Sequence, residues 1–135
     1  MLTNDQMRAA DFTGDDTIAI RTVAMPMPGP GEALLRVLRT ALCGSDFKLW
    51  HKGAEFVAGH EIFGRVEQPG HPLDSRRCAV YIPLHCGHCE ACAAGNTQMC
   101  IEVSSLIGWN RDGGYCEFVA VPDNCLLPVP DDIDD

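Results

Sequence analysis

The hydrophobic residues of the chain occur in short segments that are separated by glycine, proline or aspartate. Residues 17–24 are rich in β-branched side chains and predict a strand. Residues 33–40 predict a second strand, and their hydrophobic side chains on both faces indicate that it is covered on both sides. The remaining predicted strands are short and lie at residues 62–67, 77–82, 115–121 and 126–129.

Helical segments are expected at only two places, residues 45–50 and 90–94. Many short strands with turn residues between them and little helix are typical of an all-β barrel or sandwich. The fold class that we predict is therefore mainly β, with a few short helices.

The length and charge of the chain restrict its class. With 135 residues, of which 46% are hydrophobic, there is room for one domain with one core. The formal net charge is −9, but four of the acidic residues lie within the last five positions, so the rest is only mildly acidic. No basic stripe could neutralise phosphates, and no hydrophobic run approaches the roughly 18 residues of a membrane span. We therefore expect neither nucleic acid nor a membrane as a partner.

The compartment that the sequence indicates predicts whether the eight cysteines are thiols or disulfides. The N-terminal residues 1–16 are polar and acidic, unlike the basic and then apolar start of a secretory signal. We therefore expect a cytoplasmic protein, whose cysteines act as thiols and metal ligands. Disulfide pairing of the clustered cysteines is the alternative.

Four of these cysteines lie in one short loop, at Cys86, Cys89, Cys92 and Cys100. Four thiolates at tetrahedral distance fill the coordination shell of Zn²⁺ and leave no position for water. The loop is therefore predicted to hold a structural zinc ion rather than to perform chemistry.

A second set of candidate ligands comes from two short motifs, Cys-Gly-Ser-Asp at 43–46 and Gly-His-Glu at 59–61. Each motif is weak alone, because a lone cysteine is usually a small hydrophobic residue of the core. Together they provide a thiolate, an imidazole and two carboxylates. These are the donor types of a catalytic zinc site that keeps an open position.

The two motifs and the cysteine loop are followed by Gly-Gly-Tyr-Cys-Glu-Phe-Val-Ala-Val-Pro at 113–122. In this order of motifs the chain resembles the N-terminal catalytic, GroES-like domain of the zinc-containing alcohol dehydrogenases, in the medium-chain dehydrogenase/reductase superfamily. The resemblance covers roughly residues 18–132. It implies a GroES-like β-barrel with short helices and a structural-zinc lobe.

The resemblance also implies an activity, in which zinc polarises the hydroxyl of an alcohol or polyol for hydride transfer to NAD(P). Cys43 and His60 would ligate this catalytic zinc, with Glu61 as an alternate ligand. Asp46 would accept a hydrogen bond from the free ring nitrogen of His60, and Ser45 would pass the substrate proton outward. The ligands of the structural zinc would be Cys86, Cys89, Cys92 and Cys100.

The domain organisation that follows has an N-terminal segment at 1–16, a catalytic domain at 17–130 with its zinc lobe at 84–104, and the start of a linker at 131–135. No Gly-x-Gly-x-x-Gly motif follows a strand, so a Rossmann domain is expected outside these residues, in the same protein or in a partner in trans. Assembly of the chain into homo-oligomers is a further alternative. We expect the isolated chain to be inactive. The alternative function is a stand-alone, zinc-stabilised barrel that acts as a binding or assembly module.

A few residues depart from the family pattern or match none of its ligands. Many relatives have a histidine that ends the proton relay, and Lys48 stands at that position here. His51 follows three residues later, so the sequence does not decide which residue ends the relay. Trp50 and Trp109 are candidates either for the substrate cleft or for ordinary packing. Three cysteines match no ligand position, namely Cys78, Cys116 and Cys125. Cys78 and Cys116 lie within predicted strands, so we expect them to be buried thiols.

Overall fold

The structure is a computed structural model that describes residues 5–134, with seven strands and two short α-helices among them. The strands are β1 (Gln6–Gly14), β2 (Thr17–Ala24), β3 (Glu32–Ala41), β4 (Glu61–Val66), β5 (Arg77–Val80), β6 (Phe118–Pro122) and β7 (Leu126–Pro128). The α-helices are α1 (Phe47–Lys52) and α2 (Glu90–Ala93), and short 3-10 helices occupy Gly44–Asp46, Thr97–Met99 and Asp123–Cys125. Among the described residues, no helix combines the length and the apolar character that crossing a membrane requires.

The prediction of a mainly β fold is confirmed. Strand β2 has the predicted bounds, and β3 to β7 each overlap a predicted segment. The largest shift is in β6, which begins at Phe118 instead of residue 115. The reason lies in Tyr115, whose backbone N–H donates to the carbonyl oxygen of Ala58 (3.0 Å), outside the strands of the sheet.

An antiparallel sheet of five strands forms the body of the fold, in the order β6-β3-β4-β5-β7. The sheet curls into half of a barrel. Alternate side chains of its strands enter one core, because successive residues of a strand point to opposite faces. The largest fully buried hydrophobic side chains of this core are Leu35, Ile107, Val66, Val119 and Val121.

Strand β3 is buried on one face only, which corrects the expectation that it is covered on both sides. Ala33 and Leu35 are fully buried, whereas Arg36 on the opposite face is exposed. The pairing with β4 shifts register between Val37 and Arg39. Such a bulge moves the side chains that follow it to the other face of the sheet, so the inward-facing series of β3 changes phase after Val37.

Strand β1 is missing from the sequence-based prediction, yet it pairs with β2 in an antiparallel hairpin. The two strands are joined by Asp15 and Asp16, which have positive φ angles of 51° and 60°. Two left-handed residues in succession form the turn that best matches strand twist, and aspartate tolerates this conformation. The domain limit expected at residue 16 therefore lies inside a hairpin turn. The hairpin reaches the rest of the fold where Ala10 N–H donates to the carbonyl oxygen of Tyr115 (2.7 Å).

Gly64 in β4 is one of the positions at which the sheet has no room for a side chain. An added Cβ would lie 2.7 Å from Cγ of Leu35 and would also meet the carbonyl oxygen of Arg36. We therefore expect Gly64→Ala to lower the free energy of unfolding by about 2 kcal/mol, as overpacking does. The control is Gly44→Ala, whose Cβ would meet nothing within 4 Å. Urea unfolding at equal zinc concentration measures both variants, and equal midpoints would contradict the prediction.

Candidate metal centres

The four-cysteine loop is closed at its base by backbone hydrogen bonds. Leu84 N–H donates to the carbonyl oxygen of Ser105 (2.9 Å), and the carbonyl oxygen of Leu84 accepts from Ser104 N–H (3.1 Å). Inside the loop, the N–H of Cys89 donates to Sγ of Cys86 (3.3 Å). At Cys89 such bonds, first of all the one from the Cys92 backbone, lower the pKa of the thiol to about 6 and so favour the thiolate, which is the form that binds metal.

The sulfur atoms of the loop lie at the separations that tetrahedral zinc requires. Sγ of Cys86 is 3.9 Å from that of Cys92 and 3.7 Å from that of Cys100. Zinc–sulfur bonds of about 2.3 Å at tetrahedral angles place the sulfurs about 3.8 Å apart. All four sulfur atoms lie within 4.8 Å of one another, and none of the eight cysteines forms a disulfide. The donors therefore fit a zinc ion, and the disulfide alternative finds no support.

The lobe around these cysteines has no hydrophobic core of its own. No residue from His85 to Ser104 is buried, and Met99 and Ile101 are largely exposed. A segment without a core needs another source of stability, and structural zinc in small motifs can contribute roughly 10–16 kcal/mol of apparent binding free energy. We infer that the order of this lobe depends on its metal.

A thiolate, an imidazole and a carboxylate meet at a second place in the fold. One ligand atom from each of Cys43, His60 and Glu61 lies within 4.8 Å of the other two. Cys43 directly precedes the 3-10 helix Gly44–Asp46, and His60 directly precedes β4. Cys43 is half-buried, His60 is buried and Glu61 is exposed. These donors fit zinc, and the exposed side leaves access for an exchangeable ligand.

The backbone in front of His60 is held by residues 113–115. Gly114 N–H donates to the carbonyl oxygen of Gly59 (2.7 Å). Gly59 has a φ angle of +95°, and a Cβ at this position would lie 2.8 Å from Cγ of the Tyr115 ring. Only glycine satisfies both the conformation and the close approach. The glycine of the Gly-His-Glu motif is therefore what allows His60 to take its place.

Asp46 connects the two segments that carry the ligands, and it is completely buried. Its Oδ2 accepts hydrogen bonds from Cys43 N–H (2.9 Å) and from the Tyr115 hydroxyl (2.8 Å). Its Oδ1 lies 3.2 Å from Nδ1 of His60, although the ring N–H is not aligned closely enough for a full hydrogen bond. Because Nδ1 faces this carboxylate, Nε2 is the ring nitrogen that a metal would use.

Tyr115 is the residue of this site that the motifs do not indicate, since it lies 69 positions after Asp46. Burial, and then the hydrogen bond to Asp46, raise the pKa of its hydroxyl well above the usual range. The hydroxyl therefore stays protonated and can donate to the carboxylate. The only signal in the sequence is general: a buried carboxylate needs donors, and a tyrosine near a glycine pair can provide one.

The proposed proton relay and its exit lie on the 3-10 helix and on α1. Ser45 is half-buried on the 3-10 helix, between the positions of the thiolate and the buried carboxylate. Lys48 is exposed on α1. Nδ1 of His51 makes a close contact with a carboxylate oxygen of Asp16 in the β1–β2 turn.

The two tryptophans differ in their distance from the ligands. The ring of Trp109 lies beside the site, with its centroid 5.7 Å from that of His60, whereas Trp50 packs on Phe47 within α1. An open groove of about 510 Å³ borders His60 and Glu61. A larger cavity of about 830 Å³ lies between the β1–β2 hairpin and residues 54–57, away from the ligands. The smaller groove is therefore the candidate substrate cleft.

Three cysteines lie outside both ligand sets. Cys78 and Cys125 are completely buried, and Cys116 is half-buried. Burial raises the pKa of all three thiols, to about 12 for Cys116 and to about 11 for Cys125. The expectation of a buried thiol is confirmed for Cys78, and none of the three is suited to act as a nucleophile.

The half-barrel sheet, the cysteine lobe and the second donor set occur together in one small β domain. Residues 29–131 match the alcohol dehydrogenase GroES-like domain. The chain belongs to this family, and the predicted resemblance to the medium-chain dehydrogenases is confirmed.

Three known proteins that are similar to the chain are much longer than it. L-threonine 3-dehydrogenase of Rhizobium johnstonii is 30% identical, over 86% of this chain and 37% of that protein. The cobalt- and zinc-bound alcohol dehydrogenase of Pyrobaculum aerophilum is 32% identical with a TM-score of 0.82, over 96% of this chain and 43% of that one. Acetophenone reductase of Geotrichum candidum, solved with NAD, is 26% identical with a TM-score of 0.81, over 99% and 43%. The chain thus spans less than half the length of these relatives.

Replacement of Tyr115 by phenylalanine removes one donor from Asp46 and keeps the ring. We expect the affinity of the Cys43–His60 site for Co²⁺ to fall about tenfold or more, the scale seen when groups that orient metal ligands are lost. The measurement is a titration of thiolate–Co²⁺ absorption, with the four-cysteine site already filled with zinc. Tyr81→Phe is the matched control, because the buried Tyr81 hydroxyl has no hydrogen-bond partner among the described residues. Equal affinities in the two variants would count against the role of Tyr115.

Alkylation of the cysteines tests their division into ligands and buried thiols. With zinc bound, we expect all eight thiols to resist iodoacetamide. At about pH 8, removal of the metal should unfold the lobe and expose the proposed ligands, while the three thiols in the folded body of the domain, whose pKa is raised by burial, stay unmodified. Mass spectrometry of the peptides identifies the labelled positions. Labelling of Cys116 ahead of Cys43 would refute this division.

Proposed function

We propose that this chain is the N-terminal catalytic part of a zinc-dependent, NAD(P)-linked dehydrogenase that acts on an alcohol or polyol, or on the corresponding carbonyl compound. The observation that supports this best is the second donor set, in which Cys43, His60 and Glu61 meet and the buried Asp46 lies behind His60. Burial of a carboxylate is unfavourable unless the group is paired and hydrogen-bonded, and here it faces the ring of a proposed ligand histidine. The four-cysteine lobe supports the same proposal as a structural zinc site.

The residues around the second donor set each have a part in the proposed chemistry. Zinc bound by Cys43 and His60 would supply Lewis acidity, which lowers the pKa of a coordinated alcohol. Asp46 orients the ring of His60 and raises the basicity of its Nε2. Glu61 lies on the exposed side and would serve there as an alternate ligand of the zinc.

The proton of the substrate hydroxyl needs a route to solvent. Ser45 can accept and donate a proton, and its half-buried position on the 3-10 helix supports a role as the first relay group. The Lys48 ammonium group has no acceptor site, whereas His51 contacts Asp16 through Nδ1 only and keeps Nε2 for proton transfer. We therefore propose that the proton passes from Ser45 to water rather than through Lys48.

The relatives indicate a class of substrate. Carbon 3 of L-threonine carries a secondary hydroxyl group, and acetophenone is a ketone. We propose a small secondary alcohol or ketone as the substrate of this protein. The groove of about 510 Å³ beside His60 and Glu61 is large enough for such a molecule.

NAD(P) is proposed to bind outside the 135 residues, because no glycine-rich nucleotide motif occurs within them. A Rossmann domain that follows the linker at 131–135, or a partner in trans, would supply that site. The catalytic domain at 17–130, its zinc lobe at 84–104 and the N-terminal segment at 1–16 are part of the proposal. We also propose that the protein is cytoplasmic and that it assembles into homo-oligomers.

The alternative function is a stand-alone, zinc-stabilised barrel that serves as a binding or assembly module. It is favoured by one observation: the four-cysteine set is complete within the chain, whereas the second set offers three donors, of which Glu61 is exposed. The gene downstream of Asp135 discriminates between the two. A reading frame that continues into a strand, a glycine-rich turn and a helix favours the dehydrogenase.

Hydride transfer in the protein that includes the nucleotide-binding half tests the proposed function. We expect zinc-dependent formation of reduced NAD(P) with small secondary alcohols, L-threonine among them. Cys43→Ala should lower the rate by about a thousandfold, on the scale of losing the main electrostatic catalyst, while the zinc of the lobe stays in place. Cys116→Ala is the control, because Cys116 belongs to neither ligand set. No transfer over a broad panel of alcohols, or equal activity of the two variants, would refute the proposal.

A further inference from the structure

Beside the four-cysteine loop, His88 and Glu102 form a third group of metal-binding side chains together with Cys86. One ligand atom of each residue lies within 4.8 Å of the others, and Nε2 of His88 is 3.4 Å from Oε2 of Glu102. Neither His88 nor Glu102 has a part in the proposed hydride transfer. Cys86 is the member that this group shares with the four-cysteine site.

The two groups differ in their access to solvent. The side chains of His88 and Glu102 are 73% and 54% exposed, whereas the four cysteines of the loop are half-buried. His88 lies in the turn between Cys86 and Cys89, and the N–H of Glu102 donates to Sγ of Cys100 (3.4 Å). The exposed pair is therefore attached through its backbone to the rim of the four-sulfur site.

A closed shell of four thiolates presents a kinetic problem for the metal. It has no open position, so an incoming ligand that takes the place of a sulfur provides a direct route for zinc to enter or leave. That ligand must reach the metal from outside while at least one sulfur keeps its bond. His88 and Glu102 satisfy the first condition and Cys86 the second, and imidazole and carboxylate are both ordinary zinc ligands.

We propose that Cys86, His88 and Glu102 form a transfer site through which zinc enters and leaves the four-cysteine site. On entry, Zn²⁺ would be held by Nε2 of His88, by Oε2 of Glu102 and by Sγ of Cys86, whose thiol proton passes to water. The bond to Cys86 then persists while bonds to the other three loop sulfurs form, their protons pass to water, and the bonds to His88 and Glu102 break. Release is the reverse, and zinc remains Zn²⁺ throughout. This inference rests on the structural zinc of the proposed function.

A site that zinc only passes through has a distinctive effect on exchange. Its loss slows uptake and release by the same factor and leaves the dissociation constant unchanged. A pair of side chains that stabilised the bound zinc would behave differently, because its loss would speed up release and weaken the affinity. Kinetic and equilibrium measurements together therefore separate the two roles.

The test follows zinc exchange in the double variant His88→Gln/Glu102→Gln. A Cys43→Ala background loaded with one equivalent of zinc restricts the signal to the lobe. Both substituted side chains are exposed, so the fold should tolerate the changes. Glu90→Gln in the same background is the matched control, because it removes an exposed acid of the same lobe that lies outside the transfer site. Stopped-flow absorbance measures release to an excess of chromogenic chelator and uptake from a weak zinc complex, and competition titration gives the affinity.

We expect uptake and release to be about tenfold slower in the double variant with an unchanged dissociation constant, and the control to exchange like its parent. Exchange of the double variant at the rate of the control would overturn the transfer site and leave the structural zinc site intact. Faster release with weaker affinity would overturn it too, since the pair would then stabilise the bound zinc. A parent chain whose lobe binds no zinc would overturn both this inference and the zinc site on which it rests.

Discussion

The buried carboxylate of Asp46 is the constraint on which the second metal site depends. It accepts hydrogen bonds from Cys43 N–H and the Tyr115 hydroxyl, and it faces Nδ1 of His60. Three parts of the chain that are far apart in sequence thus meet at one group with no exposure to solvent. Because an unpaired buried carboxylate would be strongly unfavourable, each of these contacts supports the others. Asp46 thereby determines where the thiolate and the imidazole meet.

The two proposed metal sites would divide stability and chemistry between them. The four-cysteine lobe has no buried residue between His85 and Ser104, so a bound metal would take the place of a core. The Cys43–His60 site is built differently, since the orienting carboxylate of Asp46 is buried in the body of the fold while Glu61 stays exposed. A closed shell suits a structural ion and an open one suits a reacting ligand. The same metal can therefore have two roles in one small domain.

Features that depend on neighbouring residues could be predicted from the sequence, and features that depend on distant contacts could not. The spacing of the loop cysteines brings four donors together whatever the rest of the chain does. The bulge near Leu38 instead follows from pairing with β4, and it moves side chains to the other face. The Tyr115 hydroxyl reaches a carboxylate 69 positions away, which no local pattern indicates. For β1 the turn signal at residues 15–16 was present, but Ala10 and Asp11 interrupt the alternation that a strand would show.

Anomalous diffraction at the zinc absorption edge, from crystals of the chain grown with zinc, tests the central claim most directly. We predict two peaks. One should lie about 2.3 Å from each of the four loop sulfurs. The other should be bound by Sγ of Cys43 and Nε2 of His60, with Nδ1 of His60 still facing Asp46. A single peak in the lobe, with no metal between Cys43 and His60, would contradict the claim that this domain carries a catalytic zinc site.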